Sequence, residues 1–137
     1  MSRLFLDANI VIDLLEERQP FCKDAALLFA EAYHKRVQLY VSPITFATAS
    51  YLLGKHNNPE AVHGLLANLR QLVRVAATDE RVVDDAIISG FSDFEDALQY
   101  YSAVKAKADF IITRNGQDFT LSKIPVMTAS EYLAMLK

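Results

Sequence analysis

The stretch Leu4-Phe5-Leu6-Asp7-Ala8-Asn9 constrains the fold more than any other part of this chain. Three apolar residues end in an acid, and an amphipathic run from Ile10 to Leu15 follows at once. An apolar run of this length predicts a buried strand, whose carboxyl end carries the polar residues into a cleft. Ligands of open α/β sheets bind at that edge. We therefore predict that Asp7 is the first acid of a functional site.

Length and composition predict a single globular domain. The chain has 137 residues, of which 52% are hydrophobic and 23% are charged, so a disordered chain is excluded. The lone Cys22 cannot form an intramolecular disulfide, and no apolar run is long enough to span a membrane. These features predict a soluble, cytoplasmic protein. The net charge of −3 disfavours broad nucleic-acid binding, but it does not exclude a nucleic-acid enzyme that binds cations.

Strand and helix patterns alternate along the whole chain. We predict strands at 4–6, 38–42, 72–76, 110–113 and 125–127. We predict helices at 9–17, 21–35, 43–55, 79–89 and 94–106, one more that begins at Pro59, and a final one after Thr128. This alternation predicts an α/β fold with a mostly parallel sheet and right-handed crossovers.

Several residues have the chemistry of helix caps. We predict Asn9 and Asn58 as N-caps, Gly90 as a C-terminal glycine, and capping boxes at Ser92-x-x-Glu95 and Thr128-x-x-Glu131.

Polar residues gather in three groups, just past strands or at helix starts. The groups are Asp7 with Asn9, then Asp93 with Glu95 and Asp96, then Asn115 with Asp118. An α/β sheet can bring such positions together. Carboxylates and amides without clustered His or Cys suit Mg²⁺ or Mn²⁺ rather than zinc. A divalent ion held this way activates water and clamps the oxygens of a phosphodiester.

Each group also has a structural interpretation. Asn9 and Glu95 fit helix caps, and Asp118 fits a loop acid beside an Asn-Gly turn. Asp96 lies one residue deeper in its helix and adds nothing to the cap. Asp7 is the exception, because the end of a buried strand is a costly place for an idle carboxylate.

Three motifs together resemble the PIN-domain family. They are Leu-Asp-Ala-Asn-Ile-Val-Ile-Asp (6–13), Asp-Phe-Glu-Asp-Ala-Leu-Gln (93–99) and Phe-Ile-Ile-Thr-Arg-Asn (110–115), and their order and spacing match along nearly the whole chain. The resemblance implies a three-layer α/β/α fold and a metal-dependent ribonuclease. Many bacterial members of this size are similar to VapC-type toxins, which an antitoxin holds inactive and which are often dimeric.

The resemblance also implies roles for individual residues. Asp7 matches the first metal-binding acid, Asp96 matches the acid at the start of the later helix, and Asn9 matches a supporting polar residue. Two positions depart from the family pattern: Thr48 stands where a Glu is usual, and Asn115 ends a motif that usually reads Thr-x-Asp. Their oxygens can still ligate a metal or water, but without negative charge.

The resulting hypothesis is a Mg²⁺- or Mn²⁺-dependent endoribonuclease with an RNA substrate, a protein antitoxin and a homodimeric state. Asp7 and Asp96 hold the metal, and Asn115 completes the catalytic set. Supporting residues are Asn9, Asp93, Asp118 and Thr48, and Arg114 contacts the RNA backbone. Two alternatives stay open: a non-catalytic PIN domain that binds RNA or protein, and a phosphatase with Asp7 as covalent nucleophile.

Overall fold

The computed structural model describes residues 1–137. The strands are β1 (Ser2–Leu6), β2 (Val37–Val41), β3 (Val73–Val75), β4 (Phe110–Ile112) and β5 (Val126–Met127). The helices are α1 (Ala8–Leu15), α2 (Cys22–Tyr33), α3 (Pro43–Leu53), α4 (Pro59–Leu72), α5 (Glu80–Ile87), α6 (Phe94–Lys105) and α7 (Ala129–Met135). A short 3-10 turn, Gly116–Phe119, lies between β4 and β5.

The five strands form one sheet in the order β3-β2-β1-β4-β5, and every neighbouring pair is parallel. β1 is the central strand, with Leu4 paired to Leu39 of β2 on one side and to Phe110 of β4 on the other. The chain moves outward from β1 to β3 and then returns to the opposite side of β1. The strand order therefore reverses between β1 and β4, which is where open α/β sheets bind ligands.

Helices cover both faces of the sheet. Leu4 and Leu6 of β1 pack in a cluster that includes residues of α1, α2, α4 and α7. Phe5 points the other way, into a cluster with Tyr100 and Ala103 of α6. Alternation along β1 thus divides the core in two. The predicted α/β/α layering and the mostly parallel sheet are both confirmed.

The structure confirms two of the predicted caps. Asn58 accepts a hydrogen bond from the backbone of Ala61, with Pro59 in the first turn of α4. Thr128 and Glu131 form the predicted reciprocal capping box of α7.

Three other cap predictions are wrong. α1 begins one residue earlier than predicted, and its N-cap is Asp7 rather than Asn9. The N-cap of α6 is Asp93, so the Ser92-x-x-Glu95 box does not form. α5 ends at Ile87 with Ile88 as its C-cap, which leaves Gly90 beyond the helix end.

α1 and α2 end earlier than predicted because a residue after each has left-handed backbone geometry. α1 is followed by Glu17 with φ of 50°, and α2 by Lys35 with φ of 58°. A left-handed residue ends a helix because it turns the chain away from the helix axis. No helix has the length and apolar character needed to cross a membrane.

Candidate active site

Asp7 lies directly after the central strand, at the carboxyl end of the sheet. Its backbone N–H donates to the carbonyl of Ile112 at 2.9 Å, which continues the pairing of β1 with β4. Its side chain caps α1, since Oδ1 accepts a hydrogen bond from the backbone N–H of Ala8 at 2.9 Å. The residue is only 8% exposed. Backbone contacts from a strand and a helix therefore fix where this carboxyl group lies.

Side chains from distant parts of the chain also hold the Asp7 carboxyl group. The Thr113 hydroxyl donates to Oδ2 at 2.8 Å, and the Gln99 amide donates to Oδ1 at 3.5 Å. The Asn9 amide lies 3.4 Å from Oδ2. β4 thus supplies one anchor through the residue that follows it, and α6 supplies another.

Burial raises the pKa of Asp7, and the nearby carboxylate of Asp118 adds to this rise. Hydrogen bonds from Thr113, Ala8 and Gln99 oppose it, because they stabilise the charged form. Together these effects raise the pKa of Asp7 above its ordinary value.

Asp96 occupies the first turn of α6 and is half-buried. Its pKa is raised to about 7, first by burial and then by the charges of Asp93, Asp118, Asp7 and Glu95. Asp118 contributes to the rise at both Asp7 and Asp96, and Gln99, which lies three residues after Asp96 on α6, donates to Asp7. No basic side chain is among the groups that set these two pKa values.

Asp93 has a structural role at the same place. Its Oδ1 accepts a hydrogen bond from the backbone N–H of Asp96 at 2.9 Å and so caps α6. The cap holds the helix start, and with it Asp96, beside the carboxyl end of β1. Glu95 is exposed and forms no part of this cap.

A comparison with models of known protein families identifies the family of this chain. A model described as PIN domain matches residues 3–117, which is most of the chain. The chain belongs to the PIN-domain family. The resemblance drawn from the three motifs is therefore confirmed.

Solved structures of low sequence identity share the fold. VapBC-1 from nontypeable Haemophilus influenzae is 20% identical, with a TM-score of 0.68 over 94% of this chain and 99% of that one. A toxin-antitoxin complex from Klebsiella pneumoniae is 22% identical, with a TM-score of 0.68 over 93% and 98%. PAE2754 from Pyrobaculum aerophilum is 16% identical, with a TM-score of 0.64 over 98% and 90%. No curated protein matches the chain.

The three neutral residues predicted for the site of this PIN domain differ in how close they come to Asp7. Asn9 reaches both Asp7 and Thr113, with its amide nitrogen 3.4 Å from the Thr113 hydroxyl. The backbone N–H of Asn115 donates to the same hydroxyl at 3.0 Å, whereas its side chain makes no cap for the turn that follows. Thr48 is half-buried on α3 and makes no side-chain hydrogen bond. Asn9 and Asn115 therefore lie beside Asp7, whereas no hydrogen bond joins Thr48 to it.

Arg114 has a structural task that the sequence did not predict. Its Nε and Nη2 donate to the two carboxylate oxygens of Asp13 at 2.7 and 3.1 Å. The guanidinium also lies over the ring of Phe21, 4.0 Å from its centroid. A guanidinium held in this way is already bonded within the protein. Its contact with an RNA backbone stays a prediction.

The sequence interpretation also missed the buried polar residues Gln99, Thr45 and Ser42. The Gln99 amide donates to the Thr45 hydroxyl at 3.1 Å and accepts from the Ser42 hydroxyl. One signal was available: Gln99 follows Asp96 by three residues, so the two share one face of a helix. Thr113 had a similar signal, because it follows β4 as Asp7 follows β1.

The donor set fits a divalent cation in charge and in chemistry. Carboxylates that repel each other without a basic neighbour are relieved by a bound cation, and their oxygens are the ligands that Mg²⁺ prefers. However, no three His, Cys, Asp or Glu side chains are arranged to hold a metal ion between them. Mg²⁺ often uses only one or two carboxylates and keeps several waters. Asp7 and Asp96 can meet that smaller requirement.

Proposed function

We propose that this PIN domain is a Mg²⁺- or Mn²⁺-dependent endoribonuclease that hydrolyses RNA phosphodiester bonds. The observation that carries the proposal is a group of acids at the carboxyl end of the central strand. Asp7 is buried there, and burial together with the charges of neighbouring acids, Asp7 among them, raises the pKa of Asp96. Keeping desolvated acids side by side costs free energy. A bound cation would neutralise these negative charges and so offset this free-energy cost.

Asp7 and Asp96 would hold the ion, and Asn9, Asn115 and Asp118 would assist directly or through water. When bound, the ion supplies water activation and stabilises charge on the phosphodiester oxygens. The chain's own contribution is positioning. Thr113 fixes the Asp7 carboxyl group, and Asp93 keeps the start of α6 in place by its cap.

The biological setting that we propose is a cytoplasmic toxin-antitoxin pair. The fold is shared with VapBC-1 and with a toxin-antitoxin complex, which supports a small protein partner that inhibits the nuclease. We also propose a homodimer. Co-expression with the product of an adjacent gene should yield a complex and suppress RNA cleavage, and light scattering should give twice the 15.4 kDa chain mass for the free protein.

One observation favours a second candidate, a PIN domain that binds RNA or protein without cleaving RNA. No three acidic side chains are arranged to hold a metal, and Thr48 and Asn115 carry no charge. This candidate predicts that the folded protein does not bind Mn²⁺ at millimolar concentration.

Two measurements on the purified protein test the nuclease. Calorimetric titration with Mn²⁺ should give saturable binding, and a fluorescent single-stranded RNA should be cleaved with Mn²⁺ but not with EDTA. Asp7→Asn should abolish cleavage and keep the fold. Asp84→Asn makes the same charge change on the exposed face of α5, and it should cleave RNA like the unmodified protein. Near-normal cleavage by a well-folded Asp7→Asn protein would contradict the proposal.

A further inference from the structure

A buried polar bridge connects α3 to Asp7 through Gln99. Gln99 is 1% exposed, and Ser42 and Thr45 are both 0% exposed. Ser42 is the N-cap of α3, and Thr45 lies in the first turn of that helix. Gln99 projects from α6 between this helix start and the carboxyl group of Asp7.

The hydrogen bonds fix which way the Gln99 amide points. Its nitrogen donates to the Thr45 hydroxyl at 3.1 Å and to Asp7 Oδ1 at 3.5 Å, while its oxygen accepts from Ser42. Turning the amide over would set its oxygen against the Asp7 carboxylate, whereas the Ser42 and Thr45 hydroxyls can donate or accept in either orientation. The Asp7 carboxylate therefore sets the direction of the amide, and the two hydroxyls of α3 hold the amide in place.

A residue that served only packing would not need this chemistry. Burying a glutamine requires desolvating its amide and ordering a flexible side chain, whereas Met or Leu would fill similar space without either cost. Every buried side-chain polar atom of the structure has a partner, so the bridge is complete. At the candidate site, this bridge ends at the Asp7 carboxyl group.

We propose that Gln99 is a positioning residue for Asp7, and that α3 acts on the site through it. Thr113 holds Oδ2 from β4, and Gln99 holds Oδ1 from α6, so the carboxyl plane is defined from two sides. The expected effect on metal binding rests on the proposed function, whereas the contact between Gln99 and Asp7 does not.

The contact is tested first in the metal-free protein. The side-chain NH₂ protons of Gln99, seen in ¹⁵N-correlated NMR spectra, should exchange slowly with water. Both Asp7→Asn and Thr45→Val should shift these signals, because each changes one acceptor of the amide. Thr45→Ser keeps the hydroxyl and should leave them near their original positions. Signals unmoved by Asp7→Asn would overturn the proposal.

The effect on the site is tested by Mn²⁺ titration. Gln99→Met should weaken Mn²⁺ binding by about tenfold, as loss of a group that orients a ligand does. Thr45→Val should weaken binding in the same direction, and Thr45→Ser should restore it. The matched control is Ser102→Ala, which removes a hydroxyl that is 0% exposed on the same helix and bonded to Thr78 at 2.8 Å.

The outcomes separate this proposal from the nuclease. Equal Mn²⁺ affinities of Gln99→Met and Ser102→Ala would overturn the positioning role while leaving the metal site intact. If the unmodified protein binds no Mn²⁺, the proposed function fails and the NMR experiment alone decides whether Gln99 holds Asp7. If Gln99→Met does not fold, the comparison of Thr45→Val with Thr45→Ser decides.

Discussion

Arg114 donates two hydrogen bonds to Asp13, at 2.7 and 3.1 Å, and the Asp13 side chain is 1% exposed. Asp13 lies on α1, whereas Arg114 lies in the loop after β4. The residue before Arg114 is Thr113, whose hydroxyl holds Asp7. The ion pair therefore anchors the loop that helps to orient the first acid of the site.

Replacing Asp13 with Ala should destabilise the fold. Removing one partner of a buried pair costs about 3–5 kcal/mol. Because the Arg114 side chain is 27% exposed and can regain water, we expect a smaller loss of about 2 kcal/mol in the free energy of unfolding. Urea denaturation measures it. Asp85→Ala is the control, since it breaks an exposed pair with Arg81 and should cost under about 1 kcal/mol. Equal losses in the two variants would show that the Asp13 pair contributes nothing special.

Replacing Thr113 with Val removes the shortest side-chain hydrogen bond to Asp7 and keeps the side-chain shape. That hydrogen bond lowers the pKa of Asp7, so its loss should raise this pKa further. Under the proposed function, Mn²⁺ affinity should fall by about tenfold, as measured by calorimetry at fixed pH. Thr78→Val removes a hydroxyl bonded to Ser102 instead, and it should bind Mn²⁺ normally. Unchanged affinity in Thr113→Val would rule out a role for the hydroxyl in orienting Asp7.

The fold could be predicted from the sequence because its main signals are local. The apolar run before Asp7, the Asn58-Pro59 break and the Thr128-x-x-Glu131 box each lie within a few residues. The N-cap of α1 was misplaced because Asp7 and Asn9 are both good caps, and the end of β1 decides between them. The end of β1 at Leu6 was predicted, but the local sequence does not show that the helix begins directly after Asp7.

The site was only partly predictable, since its supporting contacts join distant parts of the chain. Asp7 and Asp96 could be proposed from the sequence because each follows a strand or begins a helix. The residues that hold Asp7 are 92 and 106 positions away, at Gln99 and Thr113. Asp13 and Arg114 are separated by 101 positions. Nothing in a local pattern pairs such residues before the sheet forms.

Two substitutions at Asp93 should separate its cap from its charge. Asp93→Ala loses the hydrogen bond to the backbone of Asp96 and should destabilise the protein by about 1 kcal/mol. Asp93→Asn keeps a capping oxygen and removes only the charge, so it should be more stable than Asp93→Ala. Because the Asp93 charge raises the pKa of Asp96, both variants should lower that pKa. Urea denaturation and NMR titration of the Asp96 carboxyl carbon measure the two effects. Equal stability of the two variants would show that the cap contributes nothing.

The raised pKa of Asp96 predicts how stability depends on pH without metal. The pKa is about 7 in the folded protein against an ordinary value of 3.8, so between these values the folded state holds a proton that the unfolded chain releases. Stability contributed by Asp96 is thus fully present below about pH 4 and is lost as pH rises toward 7. Asp96→Asn cannot titrate, so its stability relative to the unmodified protein should increase over this range and level off above it. Urea denaturation in EDTA across the range measures the difference, with Asp84→Asn as the charge-matched control. Parallel stability profiles for Asp96→Asn and the unmodified protein would mean that folding does not raise the pKa of Asp96.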